Sequence, residues 1–155
     1  SSNPLMGNLV KHLLIILSLF LFSSIFISCS KSSDDNTTNS PWTKQLGTSS
    51  DDWGNDVTTD SSGNIYVTGD TLGGLDGNTN SGFEDISLIK YNSSGTKQWT
   101  KQLGTSSTDY GSGVSTDSSG NIYVTGSTSG ELDGNTHFGD RDIFLVKFSS
   151  SGTKQ

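Results

Sequence analysis

Hydrophobic residues follow two different patterns along the chain. One unbroken apolar run occupies residues 13–27, whereas the remainder alternates short apolar segments with clusters of Gly, Ser, Asn and Asp. Segments of five to eight residues rich in β-branched and aromatic side chains, placed between such clusters, are typical of β-strands. The pattern therefore predicts an all-β fold over residues 42–155.

Four strands are predicted in each half of this region. They cover residues 55–59, 64–68, 85–91 and 96–103 in the first half, and 112–116, 121–125, 142–148 and a start at 153 in the second. The tetrapeptides 60–63 and 92–95 begin with Asp or Asn and end in Gly, which suits tight hairpin turns with a left-handed glycine. Segment 142–148 is apolar on both faces, so we expect its sheet to be covered on both sides.

The two halves form a tandem repeat. Residues 42–98 and 99–155 align without a gap at an offset of 57, and 41 of the 57 positions are identical. The shared motifs are WTKQLGTSS, DSSGNIYVTG, LDGNT and SGTKQ. A repeated four-stranded unit of this kind indicates β-propeller blades, which stack face to face around an axis.

The motifs resemble a known family. The D-S-S-G-N-I-Y-V-T-G core, the W-T-K-Q-L-G opening and the D-I-x-L-x-K-[YF] strand look like the bacterial β-propeller repeat often called SBBP, and the core also resembles NHL-type blades. The resemblance implies an extracytoplasmic propeller and supplies no shared catalytic residues. Propellers need about four to eight blades to close, so two tandem repeats predict an incomplete propeller. The second repeat stops within its last strand, and we expect either a truncated product or assembly of several copies.

The N-terminal segment predicts export and lipidation. Lys11 precedes the apolar run, which is shorter than the ~20 residues that span a bilayer, and Ser28 precedes Cys29. This arrangement indicates a signal peptide over residues 1–28 whose end resembles a lipobox, with Phe26 where Leu is usual. We therefore expect lipid on Cys29, a flexible polar tether over residues 29–41, and an anchor in the outer membrane of a bacterial cell envelope. The alternative is an uncleaved signal anchor.

Charge and residue inventory exclude several functions. The net charge is −7 and the nine Lys and Arg residues are scattered, so the chain offers no footprint for nucleic acid. A single cysteine excludes a disulfide framework. No Ser-His-Asp set can be assembled and no G-x-S-x-G motif occurs, so we predict a protein that is not an enzyme and has no cofactor.

One loop weakly resembles a calcium site. Asp76, Asn78 and Asn80 place oxygen ligands at alternate positions, as calcium loops do. The motif fails because Ser81 stands where Gly is required, and the second repeat has His137 at the position of Asn80. We therefore predict no metal, and the alternative is calcium held by these three residues.

The differences between the repeats fall mostly in loops. Seven of the 16 mismatches lie in residues 69–84 and their counterparts 126–141, while strands and hairpin turns are nearly constant. Loops on a rigid scaffold are where binding usually resides, although weak constraint would give the same pattern. The candidate contacts are Trp53, Phe83, Tyr110, His137 and Phe138. For Trp53 and Tyr110 the alternative is that they cover the ends of the blades.

The sequence thus predicts a membrane-anchored, non-catalytic propeller lipoprotein whose loops bind a protein or a glycan. Its other expected partners are further propeller blades, in the same full-length chain or in other copies. The alternative is a fragment of a larger propeller enzyme or surface protein whose site needs the missing blades.

Overall fold

The computed structural model describes residues 41–155, and the regular elements of this part are seven β-strands and two short 3-10 turns. The strands are β1 (Asp52–Thr59), β2 (Ile65–Thr71), β3 (Asp85–Tyr91), β4 (Lys97–Leu103), β5 (Asp109–Thr116), β6 (Ile122–Thr128) and β7 (Asp142–Phe148), and the 3-10 turns are Leu75–Gly77 and Leu132–Gly134. No helix within residues 41–155 is long and apolar enough to cross a membrane. The predicted signal peptide, Cys29 and the tether up to residue 40 lie outside the described residues.

The strands form two antiparallel sheets. Sheet A has the order β1-β2-β3-β4 and sheet B the order β5-β6-β7. A single bridge between Phe148 and Lys154 begins a fourth strand on sheet B at the predicted place. The predicted fold class is confirmed: residues 41–155 form two tandem antiparallel sheets, consistent with propeller blades that do not close a ring.

Four strands are longer than the sequence pattern predicted. β1 and β5 begin three residues earlier, and β2 and β6 run three residues further. In β1 the extension passes through a β-bulge between Gly54 and Asp56, whereas the sequence prediction began the strand only at residue 55. Gly69 is required opposite this bulge, because a Cβ there would overlap the carbonyl oxygen of Trp53.

The hairpin turns have the predicted conformation. Gly63 and Gly95 adopt left-handed backbone angles, with φ of 77° and 75°. The Oδ1 atom of Asp60 accepts hydrogen bonds from the backbone N–H groups of Ser62 and Asn64, both at 2.9 Å. The aspartate therefore closes the turn that joins β1 to β2.

The main core lies between the sheets. Tyr66, Ile86 and Leu88 of sheet A pack with Val124 and Phe144 of sheet B in one buried cluster. Two polar contacts cross the same interface: the side-chain amide of Asn55 donates to the carbonyl oxygen of Gly111 at 2.9 Å, and the backbone N–H of Val114 donates to Asp56 at 2.8 Å. The face of sheet A in this interface is called its back face, and the face of sheet B its front face.

The outer faces are only partly covered. On the front face of sheet A, Leu46 packs against a second cluster of Leu75, Ile89 and Tyr91. On the back face of sheet B, Ile143 and Leu145 are 89% and 71% exposed. The apolar pattern of β7 predicted that its sheet is covered on both faces. Both faces are covered at β3 of sheet A, but the back face of β7 is exposed because no described blade lies against it.

Candidate loop site

All five predicted contact residues lie towards one end of the two sheets. This end, called the loop end, carries the β2–β3 connection 72–84, the β6–β7 connection 129–141 and the first residues of β1 and β5. Each connection is fixed by a 3-10 turn whose leucine, Leu75 or Leu132, is buried at 3% or 5% exposure. The buried leucines hold the loops in place, and the exposed loop residues are therefore presented from an ordered backbone.

Three of the five candidates are exposed aromatic side chains. Trp53 is 44% exposed, Phe83 65% and Phe138 73%. Phe83 is nevertheless held by its backbone, because its N–H donates to the carbonyl oxygen of Ser107 at 3.4 Å. The backbone N–H of Phe138 likewise donates to Asp142 at 2.7 Å, so both residues combine a hydrogen-bonded backbone with a largely exposed ring.

The other two candidates are engaged within the protein. Tyr110 is half-buried, and the Arg141 guanidinium lies 4.8 Å from the centre of its ring, an arrangement that favours a cation–π contact. His137 is also half-buried, and its Nδ1 lies 2.9 Å from Oδ2 of Asp142. Both side chains contribute to the structure of the second loop and leave less surface for a ligand.

The calcium candidates make separate local contacts. The carboxylate of Asp76 pairs with the Lys97 ammonium, and this hydrogen bond lowers the pKa of Asp76. The side-chain amide of Asn78 donates to the carbonyl oxygen of Leu75 at 2.8 Å, and that of Asn80 to Gly82 at 2.9 Å. Within residues 41–155, no group of three or more His, Cys, Asp and Glu side chains is arranged to hold a metal ion.

Two buried carboxylates at the loop end belong to the framework. Asp85 is fully buried, and burial raises its pKa against the hydrogen bonds that it accepts from Ser81 and Gln102. Burial likewise raises the pKa of Asp70, whose carboxylate accepts a hydrogen bond from Asn55 at 2.6 Å. These aspartates connect neighbouring strands and loops through hydrogen bonds.

A polar contact that sequence reasoning missed holds the first loop to β4. Gln102 accepts a hydrogen bond from the backbone N–H of Leu75 at 2.9 Å and donates to the carbonyl oxygen of Gly73 and to Asp85, both at 3.0 Å. The signal was present in the repeated WTKQL motif, which places Gln45 at the position of Gln102. Without a structure, the glutamine could not be distinguished from an ordinary surface residue.

The corresponding position in sheet B is an open groove. It has a volume of about 630 Å³ and runs along β7 and the second loop, with Gly130, Leu132, Asp142 and Ile143 in its lining. In sheet A this space is occupied by β4. In sheet B the N–H of Leu132 instead donates to the carbonyl oxygen of Gly130 at 2.9 Å.

Comparison with known proteins agrees with this architecture. No curated protein sequence matches the chain. The family model described as a beta-propeller repeat, SBBP, matches residues 42–76 and again residues 98–133. Each match covers a WTKQL segment, the first two strands of the blade that follows and the start of its loop. Two tandem segments of the chain are therefore similar to the SBBP beta-propeller repeat.

Proposed function

We propose that the protein is a membrane-anchored, extracytoplasmic lipoprotein that binds a protein or a glycan through the loop end of its propeller blades without catalysing a reaction. The proposal of ligand binding is supported by two exposed aromatic rings, those of Phe83 and Phe138, which are 65% and 73% exposed. They lie in the two corresponding loops, at positions where the repeats differ.

Exposed rings on an ordered backbone suit recognition. Aromatic side chains bury a large area with few rotatable bonds, so they lose little conformational entropy on binding. The Gly-rich loops around them leave the ring faces open to a ligand. Sugar rings and apolar protein side chains are the two ligand surfaces that such rings pack against.

The binding proposal is tested by truncating the rings. Phe83→Ala combined with Phe138→Ala should weaken binding to an array of immobilised glycans and matrix proteins at least about fivefold, the effect expected of a central contact. The melting temperature should stay nearly constant because both rings are largely exposed. Thr79→Ala with Thr136→Ala is the control, since both threonines are exposed in the same loops. Loss of stability instead of binding would place the rings in packing and refute the proposal.

The proposal of a lipid anchor is supported by the N-terminal sequence. Lys11, the apolar run 13–27 and the small residue before Cys29 have the order of an exported lipoprotein precursor. Lipid on Cys29 would hold the blades at a membrane surface through a polar tether. In that position the loop end is available to molecules outside the cytoplasm.

Metabolic labelling tests the anchor. Cells supplied with a radiolabelled fatty acid should label the wild-type chain and leave Cys29→Ser unlabelled, because the thiol of Cys29 is the acceptor. Ser30→Ala serves as the neighbouring control and should label normally. Equal labelling of wild type and Cys29→Ser would show that Cys29 is not the lipidated residue.

A further inference from the structure

One carboxyl group at the loop end has an oxygen atom without a hydrogen-bond partner. Asp85 begins β3, and its side chain is fully buried. Its Oδ2 atom accepts hydrogen bonds from the backbone N–H of Ser81 at 2.8 Å and from the side-chain amide of Gln102 at 3.0 Å. Its Oδ1 atom is buried too and accepts no hydrogen bond from any of the described residues 41–155. Such an oxygen is unfavourable when it carries part of a negative charge.

The backbone after β4 closes the space beside this oxygen. A Cβ on Gly104 would overlap Oδ1 of Asp85, so the oxygen lies directly against the glycine. The first loop, residues 72–84, covers the same carboxyl group from the other side through Ser81. The burial of Asp85 is therefore supplied by strands and a loop of its own blade.

The charged groups on the elements around Asp85 are carboxyl groups. Asp109 of β5 is also fully buried, Asp70 of β2 is 4% exposed, and Glu84 precedes Asp85 in the chain. Asp52 of β1 pairs with the same β2 residue as Asp85 does. Within residues 41–155, none of these five carboxyl groups forms an ion pair. A buried carboxylate without a cation is destabilised relative to its neutral form.

The basic side chains of the neighbouring strands are engaged elsewhere. On β4, Lys97 pairs with a carboxylate of the 3-10 turn, and Lys101 lies beside Gly152 in the outer turn of sheet B. On β3, the Lys90 ammonium donates to the carbonyl oxygen of Ser150 at 3.1 Å. β1, β2, β5 and the first loop contain no Lys, Arg or His. The surroundings of Asp85 therefore favour a neutral carboxyl group.

Asp109 shows what an equally buried aspartate looks like when both of its oxygens are partnered. Its Oδ1 atom accepts a hydrogen bond from the hydroxyl of Thr128. Its Oδ2 atom accepts from the backbone N–H and the hydroxyl of Thr105. Hydrogen bonds to both oxygens stabilise a carboxylate in its ionised form. Asp85 has donors on one oxygen only, so the two buried aspartates differ in the form that the fold stabilises.

We propose that Asp85 is a proton-binding site, and that proton uptake at mildly acidic pH fastens the first loop to its blade. The proton occupies Oδ1, while Oδ2 keeps its bonds to Ser81 and Gln102. Burial, assisted by the charge of Asp109, raises the pKa of Asp85 above its ordinary value of 3.8. Opening of the loop would expose Asp85 to water and release the proton, so the closed loop becomes more stable as the pH falls towards the ordinary value.

Hydrogen exchange of the unaltered full-length chain in detergent tests the effect on the loop. Peptides from residues 72–84 should be protected at least about threefold more at pH 5 than at pH 7, after correction for the intrinsic exchange rate. The turn 117–121 is the control, because Asp117 has a pKa of about 2 and stays ionised at both pH values. Its protection should not change. Equal protection of residues 72–84 at both pH values would overturn the proposal.

Infrared difference spectroscopy identifies the group that takes up the proton. The spectrum at pH 5 minus that at pH 7 should contain the C=O stretching band of a neutral, buried carboxyl group. This band should be smaller in Asp85→Asn, which cannot take up the proton. Asp52→Asn is the matched control and should leave the band unchanged, because both oxygens of Asp52 accept hydrogen bonds, from Thr71 and Thr48. An undiminished band in Asp85→Asn would assign the proton to another group.

Melting temperatures of the same two variants at pH 7 give an independent measurement. Asp85→Asn should melt at least as high as wild type, because its amide oxygen still accepts from Ser81 and Gln102 and the buried charge is gone. Asp52→Asn should melt lower, because an amide cannot accept hydrogen bonds at both of its atoms. An equal loss in both variants would show that the fold requires ionised Asp85. None of these measurements uses a ligand, so their outcome is independent of the binding proposed for Phe83.

Discussion

At the scale of residues, aspartates in the hairpin turns show how local chemistry sets this fold. Asp117 accepts hydrogen bonds from the side-chain amide and backbone N–H of Asn121, from the hydroxyl of Tyr123 and from the N–H of Ser119. The Asn121 side chain is the largest cause that lowers the pKa of Asp117, to about 2. One carboxylate thus fixes the turn and the first residues of β6.

The turn aspartates predict an acid-labile fold. A carboxyl group whose pKa is lowered by folding stabilises the protein fully above its unfolded pKa, here near 3.8, and this contribution is lost as the pH falls through about 2. The pKa of Asp60 is lowered too, because hydrogen bonds from Asn64, Tyr66 and Ser62 outweigh the opposing effect of burial. We therefore expect the melting temperature to fall between about pH 4 and pH 2.

Neutral variants separate this effect from general acid unfolding. Asp60→Asn with Asp117→Asn should melt at a lower temperature than wild type at pH 7 and show a smaller further loss at pH 3, measured by circular dichroism. Asp140→Asn, exposed in the second loop, should behave as wild type. An unchanged acid dependence in the double variant would show that other groups govern it.

At the scale of elements, the sequence located most strands and missed their ends. Segments rich in β-branched and aromatic residues, together with the N-S-S-G turn at residues 92–95, predicted β3, β4 and β7 to within one residue. The first residues of β1 and β5 were not predicted, because each strand passes through a β-bulge at Gly54 or Gly111. Such a bulge depends on the pairing with the neighbouring strand, β2 or β6, which the local sequence does not reveal. The groove along β7 was equally hidden, because it is defined by contacts between residues far apart in the chain.

The bulge makes Gly69 and Gly126 the most sensitive strand positions. A Cβ on either would overlap a backbone carbonyl oxygen, that of Trp53 or of Tyr110, which cannot move without breaking the strand pair. Gly126→Ala should therefore lower the free energy of unfolding by about 1–3 kcal/mol, the usual cost of overpacking. Denaturant unfolding of the variant measures this loss.

A second glycine provides the control for that prediction. A Cβ on Gly134 would meet no atom within 4 Å, although its φ of 75° still disfavours alanine. Gly134→Ala should thus report the cost of backbone conformation alone, about 1 kcal/mol. A loss for Gly126→Ala no greater than this would mean that β5 and β6 can separate locally without cost.

At the scale of the whole molecule, the two blades bury one interface and leave two matching faces open. Ile143 and Leu145 form an exposed apolar patch beside an unpaired strand edge, and both features favour association. Among known architectures, propellers remove such edges by repetition around an axis. Further blades, in the same polypeptide or in other copies, would cover this patch and pair this edge.

Open faces predict that residues 42–155, produced alone, will self-associate. Analytical ultracentrifugation should show oligomers at micromolar concentration, because each copy offers one front face and one back face. Ile143→Ser with Leu145→Ser should shift the population towards monomer by removing the apolar part of the back face. Phe83→Ser is the matched control: its ring is nearly as exposed as Leu145, at 65% against 71%, and it does not line the groove along β7. A wild-type segment that sediments as a monodisperse monomer and melts cooperatively would show that the open faces are stable in water and need no partner.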